Sequence, residues 1–139
     1  MDAETKREIL DKMQSDRYAE LLGMELLDVR PGYSRVGMVI RDDMFNFNDL
    51  PHGGAIFSLA DVAFAAASNA HGTVSVALNM EINYVRSVPS GTSLVAEATE
   101  EYLGRRTALY HITVKSEAGD LIASCHGLVY RKRESLLEA

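Results

Sequence analysis

Between Asp49 and Glu81 the only Asp, Glu, Lys or Arg is Asp61. The first part of this stretch has the rhythm of a helix. Ile56, Leu59, Ala60, Ala63, Phe64 and Ala67 recur at i, i+3, i+4, i+7, i+8 and i+11, the period of one helical face. A second face holds Phe57, Ser58, Asp61, Ala65 and Ser68. Pro51 disfavours helical backbone at Leu50, so the helix is expected to start near Gly53 and to end over Asn69 to Gly72. Seven alanines between 55 and 70 keep it thin, so a sheet can approach closely all around it. A helix apolar on nearly every side belongs at the centre of a fold. A lone carboxylate in such a helix is costly to bury. Asp61 therefore needs either a structural partner or a chemical task.

The segments around this helix follow a readable order. Residues 4–14 suit a short amphipathic helix with Ile9, Leu10 and Met13 on one side. A second short helix follows, capped by Ser15 or Asp16 and ended by Gly23, with Tyr18, Leu21 and Leu22 facing inward. Met24 to Val29 and Tyr33 to Ile40 read as a hairpin across Pro31-Gly32. Residues 41–51 are irregular and rich in Asp and Asn. After the helix, four strands are expected as a meander. Thr73 to Val85 carries an alternating set at Val74, Val76, Leu78, Met80, Ile82 and Tyr84. Leu94 to Thr99, Ala108 to Val114 and Leu121 to Tyr130 follow, with turns at Pro89-Ser90-Gly91, Glu101 to Arg106 and Glu117 to Asp120. Tight turns imply antiparallel pairing, and one helix wrapped by an antiparallel sheet is an α+β layout. The whole chain, residues 1–139, reads as one domain with a helical lead-in over 1–22 and a charged, fraying tail over 131–139.

Bulk properties narrow the function. A chain of 139 residues that is 47% hydrophobic supports one core. No apolar run is long enough to cross a membrane, and the polar N-terminus lacks the apolar stretch of a signal peptide. One cysteine, Cys125, rules out an internal disulfide framework, and a cytoplasmic protein is the simplest expectation. A net charge of -6 argues against nucleic-acid binding, which needs clustered Lys and Arg. No His, Cys or Asp spacing suggests a metal site, and no Ser sits in a nucleophile-elbow context.

The motif Asn46-x-x-Asp49-x-x-His52-Gly53-Gly54-x6-Asp61, at a helix start and before an antiparallel sheet, resembles the hotdog-fold acyl-CoA thioesterases. The resemblance is strongest to the group that contains the phenylacetic acid degradation thioesterase. Phe57-Ser58-Leu59-Ala60-Asp61-x-Ala63-Phe64 and Glu81-Ile82-Asn83-Tyr84-Val85-Arg86 carry it further, and it covers roughly residues 18–131. The resemblance implies a hotdog fold, an antiparallel sheet wrapped around a long central helix. It implies hydrolysis of the thioester of a small aryl- or medium-chain acyl-CoA. Asp61 stands where such enzymes carry the nucleophile or general base. Gly53 stands where a backbone N–H polarises the carbonyl. Asn46 corresponds to the upstream residue that positions the carboxylate or water, and His52 to the one that supports the loop or the carbonyl. No cofactor is implied beyond coenzyme A as part of the substrate. Such enzymes form dimers with shared sites, and the dimers pair into tetramers. Two positions depart from the pattern. Asp49 stands where many relatives have Gly, and Ala77 stands where many have Ser or Thr. Ser75 and Asn79 flank Ala77 at two residues' distance, on the same strand face by alternation.

Elementary chemistry supports the same roles. Thioester hydrolysis builds negative charge on the carbonyl oxygen. A helix N-terminus offers unpaired N–H groups and the positive end of a dipole. Gly53 and Gly54 lack Cβ and let a substrate approach. Asp61 lies about two turns further on, ~12 Å along the axis at 1.5 Å per residue. That is too far for one chain's Gly53 and Asp61 to grip the same carbonyl. An antiparallel helix from a second chain closes the gap. The phosphates of coenzyme A need cations, and Arg86, Arg105 and Arg106 are the candidates, with Gly54 also lining the substrate.

Plainer readings stand beside these. Asp61 can be a structural carboxylate in an interface, and His52 a simple loop cap. Asn48 competes with Asn46, and either can be only a turn residue. Each arginine can be merely solvated. Met24, Met38, Met44 and Met80 suit an adaptable acyl pocket or ordinary core packing. Cys125 fits packing better than nucleophilic attack, and His111 and His126 lie on strands far from the motif. The rival functions are a non-catalytic acyl-CoA sensor and a hotdog enoyl-CoA hydratase. A hydratase needs a His and an acid aimed at the acyl chain, which His52 does not match. Sensors add a DNA-binding region, for which the first residues are too few and too acidic.

Overall fold

The computed structural model describes residues 2–137. Helix α1 (Ala3–Met13) starts at Asp2, whose carboxylate accepts the Thr5 N–H at 2.7 Å, and it buries Ile9. Helix α2 (Arg17–Leu21) starts at Asp16, which caps the Ala19 N–H at 3.0 Å. The chain leaves it through Gly23 at φ +71°, where a side chain would be strained. So short a helix buries only Ala19 fully. Tyr18 is 53% and Leu21 68% exposed, against the inward orientation expected of them, and only Leu22 of the three packs on the core.

Strands β1 (Glu25–Arg30) and β2 (Tyr33–Val39) form the expected hairpin, with a 3-10 turn at Asp42–Met44 after it. Helix α3 (Gly53–Asn69) follows. Strands β3 (Thr73–Tyr84), β4 (Ser93–Leu103), β5 (Thr107–Ser116) and β6 (Leu121–Ser135) complete one sheet in the order β1-β2-β4-β5-β6-β3. Every pairing is antiparallel.

The expected four-strand meander is thus reduced to β4-β5-β6. The segment over 85–92 is not a hairpin turn. It carries the chain across the end of the sheet, where the Ile40 N–H bonds Thr92 C=O at 2.9 Å and the Gly91 N–H bonds Ile40 C=O at 2.7 Å. Strand β4 therefore zips onto β2, and β3 is left beside β6 as an edge. Over residues 131–135 the charged tail is strand rather than frayed, and residues 138–139 of it lie outside the described residues. Arg131 and Ser135 pair with Ser75 and Thr73, because the start of β3 offers them a partner.

A bulge between Ala77 and Asn79 interrupts the alternation of β3. Opposed residues share a sheet face. Ala77 faces with Val129, and Ser75 faces with it, whereas Asn79 opposes Leu128 and joins Glu81 on the other side. The expected common face of Ala77 and Asn79 is lost. Val76, Leu78 and Tyr84 are exposed, while Met80 and Ile82 pack against the core.

Helix α3 lies across one face of this sheet, and together they form the α+β hotdog arrangement. Ile56, Leu59, Ala60, Ala63, Phe64 and Ala67 are buried, as their period requires. Phe64 meets Tyr110 edge-on, with ring centroids 5.7 Å apart. It also presses on β6 where a Cβ on Gly127 would lie 2.6 Å from the ring. The sheet does not surround the helix. A ridge of Gly54, Ser58, Asp61 and Ala65 stays uncovered or only partly covered on the opposite side.

Candidate active site

The loop before α3 is closed by Asn46. Its side-chain oxygen accepts the Asn48 N–H at 2.9 Å and the Leu50 N–H at 3.2 Å. Its backbone N–H donates to Leu50 C=O at 2.8 Å. Among the described residues the side-chain NH2 has no acceptor, so it remains a donor at the loop surface. Asp49 holds φ at +57°, a left-handed conformation that glycine takes without strain and Asp or Asn tolerates. The loop leaves Phe47 96% exposed.

His52 is the N-cap of α3. Its Nδ1 accepts the Gly54 N–H at 2.9 Å, so the neutral ring carries its proton on Nε2. The two glycines answer to packing. A Cβ at Gly54 would lie 3.0 Å from His52 Nδ1, and one at Gly53 would lie 3.1 Å from Tyr84 Cζ. The Tyr84 hydroxyl also donates to Gly53 C=O at 3.0 Å. Among the described residues the Gly53 N–H has no acceptor, because the cap takes its neighbour instead.

Asp61 sits two turns along the same ridge, half-buried, and among the described residues it makes no hydrogen bond or ion pair. Burial raises its carboxyl above the ordinary value, and the Asp16 carboxylate at the start of α2 pushes the same way. A raised carboxyl without a donor is matched to taking up a proton. Cys125 lies beneath the helix, fully buried. Burial, and then the Asp61 charge, lift its thiol to about 11, so it stays protonated and inert. Burial likewise raises the Tyr84 hydroxyl.

One chain does not bring the expected residues together. Asn46, His52, Gly53 and Gly54 gather at the start of α3, with Tyr84 against them and Arg86 two residues further on. Arg86 is paired to Asp120 at 3.0 Å. Arg105 and Arg106 belong to the β4–β5 turn, and the Arg106 guanidinium donates to Arg131 C=O at 2.9 Å. That turn faces the end of β6 that pairs with the start of β3, remote from the start of α3. Ser75 binds Ser68 C=O and Asn69 near the end of α3, well past Asp61.

From the sequence, Tyr84 and Asp16 have no part in the site, Asp16 being named only as a cap of the second helix and Tyr84 only as a strand residue. Tyr84 lies within the strand motif Glu81 to Arg86, which was the available signal. Asp16 offered none, since only the fold of α2 brings it near Asp61. A cavity of about 770 Å³ opens between the lead-in helices, β1, β2 and α3. Of the four candidate methionines, Met24 lines it, Met38 and Met44 are core residues, and Met80 packs on the core. His111 and His126 stack at 4.7 Å across β5 and β6. Among the described residues no cluster of three His, Cys, Asp or Glu is arranged to hold a metal, and no helix is long and apolar enough to cross a membrane.

Residues 50–123 match the family model described as Thioesterase superfamily. A putative esterase of Archaeoglobus fulgidus is 45% identical over 121 residues, covering 87% of this chain and 79% of its own. The acyl-coenzyme A thioesterase PaaI of Escherichia coli is 32% identical over 118 residues, covering 85% and 84%. The solved structure of the Escherichia coli PaaI protein from the phenylacetic acid degradation operon is similar with a TM-score of 0.90, at 29% identity over 96% of this chain and 97% of that one. The motif, the helix that bears it and these relatives agree: the chain belongs to the thioesterase superfamily, as a PaaI-like hotdog thioester hydrolase.

Proposed function

We propose that the protein hydrolyses an acyl-CoA at sites shared between two copies of the chain. The carrying observation is the uncovered ridge of α3, with the unpaired Gly53 N–H at one end and the unpartnered Asp61 two turns on. Asp61 of one chain takes the proton of a water that adds to the thioester carbon, or it attacks that carbon itself. The Gly53 N–H of the other chain holds the developing oxyanion, an interaction of about 3–4 kcal/mol in comparable sites. The tetrahedral centre collapses with cleavage of the C–S bond, and the thiolate of coenzyme A leaves; after direct attack, water then hydrolyses the Asp61 anhydride to the free acid and restores the carboxylate. The NH2 of Asn46 and the Nε2–H of His52 are donors available to substrate or water.

The sharing is supported by what surrounds the ridge. Strand β3 is a long unpaired edge carrying exposed Val76, Leu78 and Tyr84, and Phe47 and Leu50 are exposed at the adjoining loop. Uncovered apolar edges of this kind are usually covered by a partner. Pairing of two such dimers into a tetramer belongs to the same proposal, and a cytoplasmic setting fits the single buried thiol. Arg86 and Arg105 are the cations offered to the coenzyme A phosphates, and Arg106 supports that turn.

The test is release of free thiol from a panel of acyl-CoAs by wild type and Asp61→Asn. Turnover by wild type and a loss of about 10²-fold or more in the variant are expected. Full activity of Asp61→Asn would sink the assignment, and tight binding without turnover would favour a sensor. Mixing inactive Asp61→Asn with an inactive Gly53 variant should restore activity, since each supplies the other's missing half. A mixture that stays inactive despite subunit exchange excludes shared sites.

A further inference from the structure

We infer that the cavity beneath the lead-in helices holds the acyl group of the thioester and selects straight chains of medium length. This deepens the thioesterase reading and rests on it.

Place is the first argument. Val62, which follows Asp61 directly, lines the cavity, and so does Asp16 at the start of α2. Ala65, one turn after Asp61 on the same uncovered ridge, lines it as well. The cavity therefore opens beside the carboxylate that attends the bond to be broken. A chain leaving that carbon on the side away from the sulfur meets this opening.

Chemistry is the second. Met24, Leu26 and Val36 come from β1, β2 and the residue before β1, and Val62, Ala65 and Ala66 come from α3. All six are apolar. The charged lining residues, Lys12, Asp16, Glu20 and Glu25, come from the lead-in helices and the edge of β1. Gln14 and Ser15 join them on the lead-in side, whereas the α3 and sheet side, apart from Asn69, offers an acyl group neither a cation nor a donor. Small-molecule sites of about 300–1,000 Å³ are commonly built in this way.

Length is the third. The α3 residues that line the cavity run from Val62 to Asn69, about 10 Å along the axis at 1.5 Å per residue. The alanines keep that channel open. Asn69 forms a polar stop at its end. Its amide donates to Ala65 C=O at 2.9 Å and Ser75 C=O at 3.2 Å, and its oxygen accepts the Ser75 N–H at 2.9 Å. An acetyl group leaves most of this space empty. A phenylacetyl group fills only its near part. A chain longer than the channel must push a fully bonded side chain aside.

The experiment is a series of straight-chain acyl-CoAs from acetyl to palmitoyl, with phenylacetyl-CoA beside it. It compares wild type, Ala66→Leu and Met24→Ala by kcat/KM, with unfolding temperatures recorded. Wild type should peak at medium chains. Ala66→Leu, which blocks the channel, should lower the octanoyl-to-acetyl ratio about tenfold or more, the scale of a few methylenes in a pocket. Met24→Ala, which enlarges the floor, should move the peak to longer chains. If Ala66→Leu does not fold, Ala65→Leu on the open side takes its place. A peak at acetyl or phenylacetyl overturns the inference, as do variants that scale every substrate equally. If wild type cleaves nothing, the thioesterase reading fails separately. Calorimetry with octanoate and acetate then decides: octanoate binding abolished by Ala66→Leu upholds the site, and no chain-length dependence overturns it.

Discussion

Substituting Gly53 with alanine should separate activity from stability. The added Cβ would stand 3.1 Å from Tyr84 Cζ and 3.3 Å from its hydroxyl oxygen, closer than comfortable contact. The ring must shift, and the 3.0 Å bond from the hydroxyl to Gly53 C=O weakens. That bond is worth about 0.5–1.5 kcal/mol. Alanine offsets it, because glycine in a helix costs roughly 0.5–1 kcal/mol relative to alanine. The net change in stability should stay within about 1 kcal/mol, a shift of only a few degrees in Tm for a chain of this size. Catalysis has no such offset. The Gly53 N–H sits on the peptide that moves, and loss of one such donor costs about 10²–10³ in kcat. The assay is thiol release and calorimetric unfolding on the same preparations, repeated with Tyr84→Ala. Without the ring, Gly53→Ala should stabilise by roughly 0.4–1 kcal/mol. The reasoning is refuted if Gly53→Ala keeps wild-type kcat, or if it destabilises equally whether or not Tyr84 is present.

Because burial and Asp16 raise the Asp61 carboxyl above its usual value of 3.8, kcat/KM should fall with decreasing pH through a pKa above that value. The same shift makes the ionised form a burden on the fold. Its neutral-form advantage is complete below 3.8 and is lost as pH rises through the raised pKa. Asp61→Asn should therefore unfold at a higher temperature than wild type at pH 7, with the gap closing as pH falls. In the core, Gly127→Ala should destabilise by about 1–3 kcal/mol through overpacking, since its Cβ would lie 2.6 Å from Phe64. Phe64→Leu in the same chain should recover part of the loss, measured by denaturant unfolding.

The central helix was legible because its apolar period is unbroken and its ends are marked by Pro51 and Gly72. The candidate site was legible through spacing, since His52, Gly53, Gly54 and Asp61 need only one helix to be placed relative to each other. The strand order was not. Local alternation says that β3 and β4 are strands, but not that the segment over 85–92 crosses the sheet end instead of turning back. The bulge at Leu78 was equally silent, and it moved Asn79 away from Ala77. Tyr18 and Leu21 misled because apolarity was read as burial within one chain, when the helix bearing them is five residues long. Glycines 53 and 127 were visible as letters, but the rings of Tyr84 and Phe64 that require them come from a strand and a helix distant in sequence; only Gly54 has its ring, His52, close by in the chain.

The pairing of β3 with β6 sets an order of assembly. Thr73 emerges from the ribosome long before its partner Ser135, so β3 has no ladder to join until the last strand is made. Strands β1, β2, β4 and β5 and helix α3 can condense earlier, around Phe64 and Tyr110. Closing so distant a pair is entropically slow. During that interval an apolar strand stands beside the helix that carries Asp61, open to neighbouring nascent chains. In the proposed shared-site dimer, folding and assembly thus converge on one strand, and a chain delayed at its C-terminal end should be prone to mispairing there.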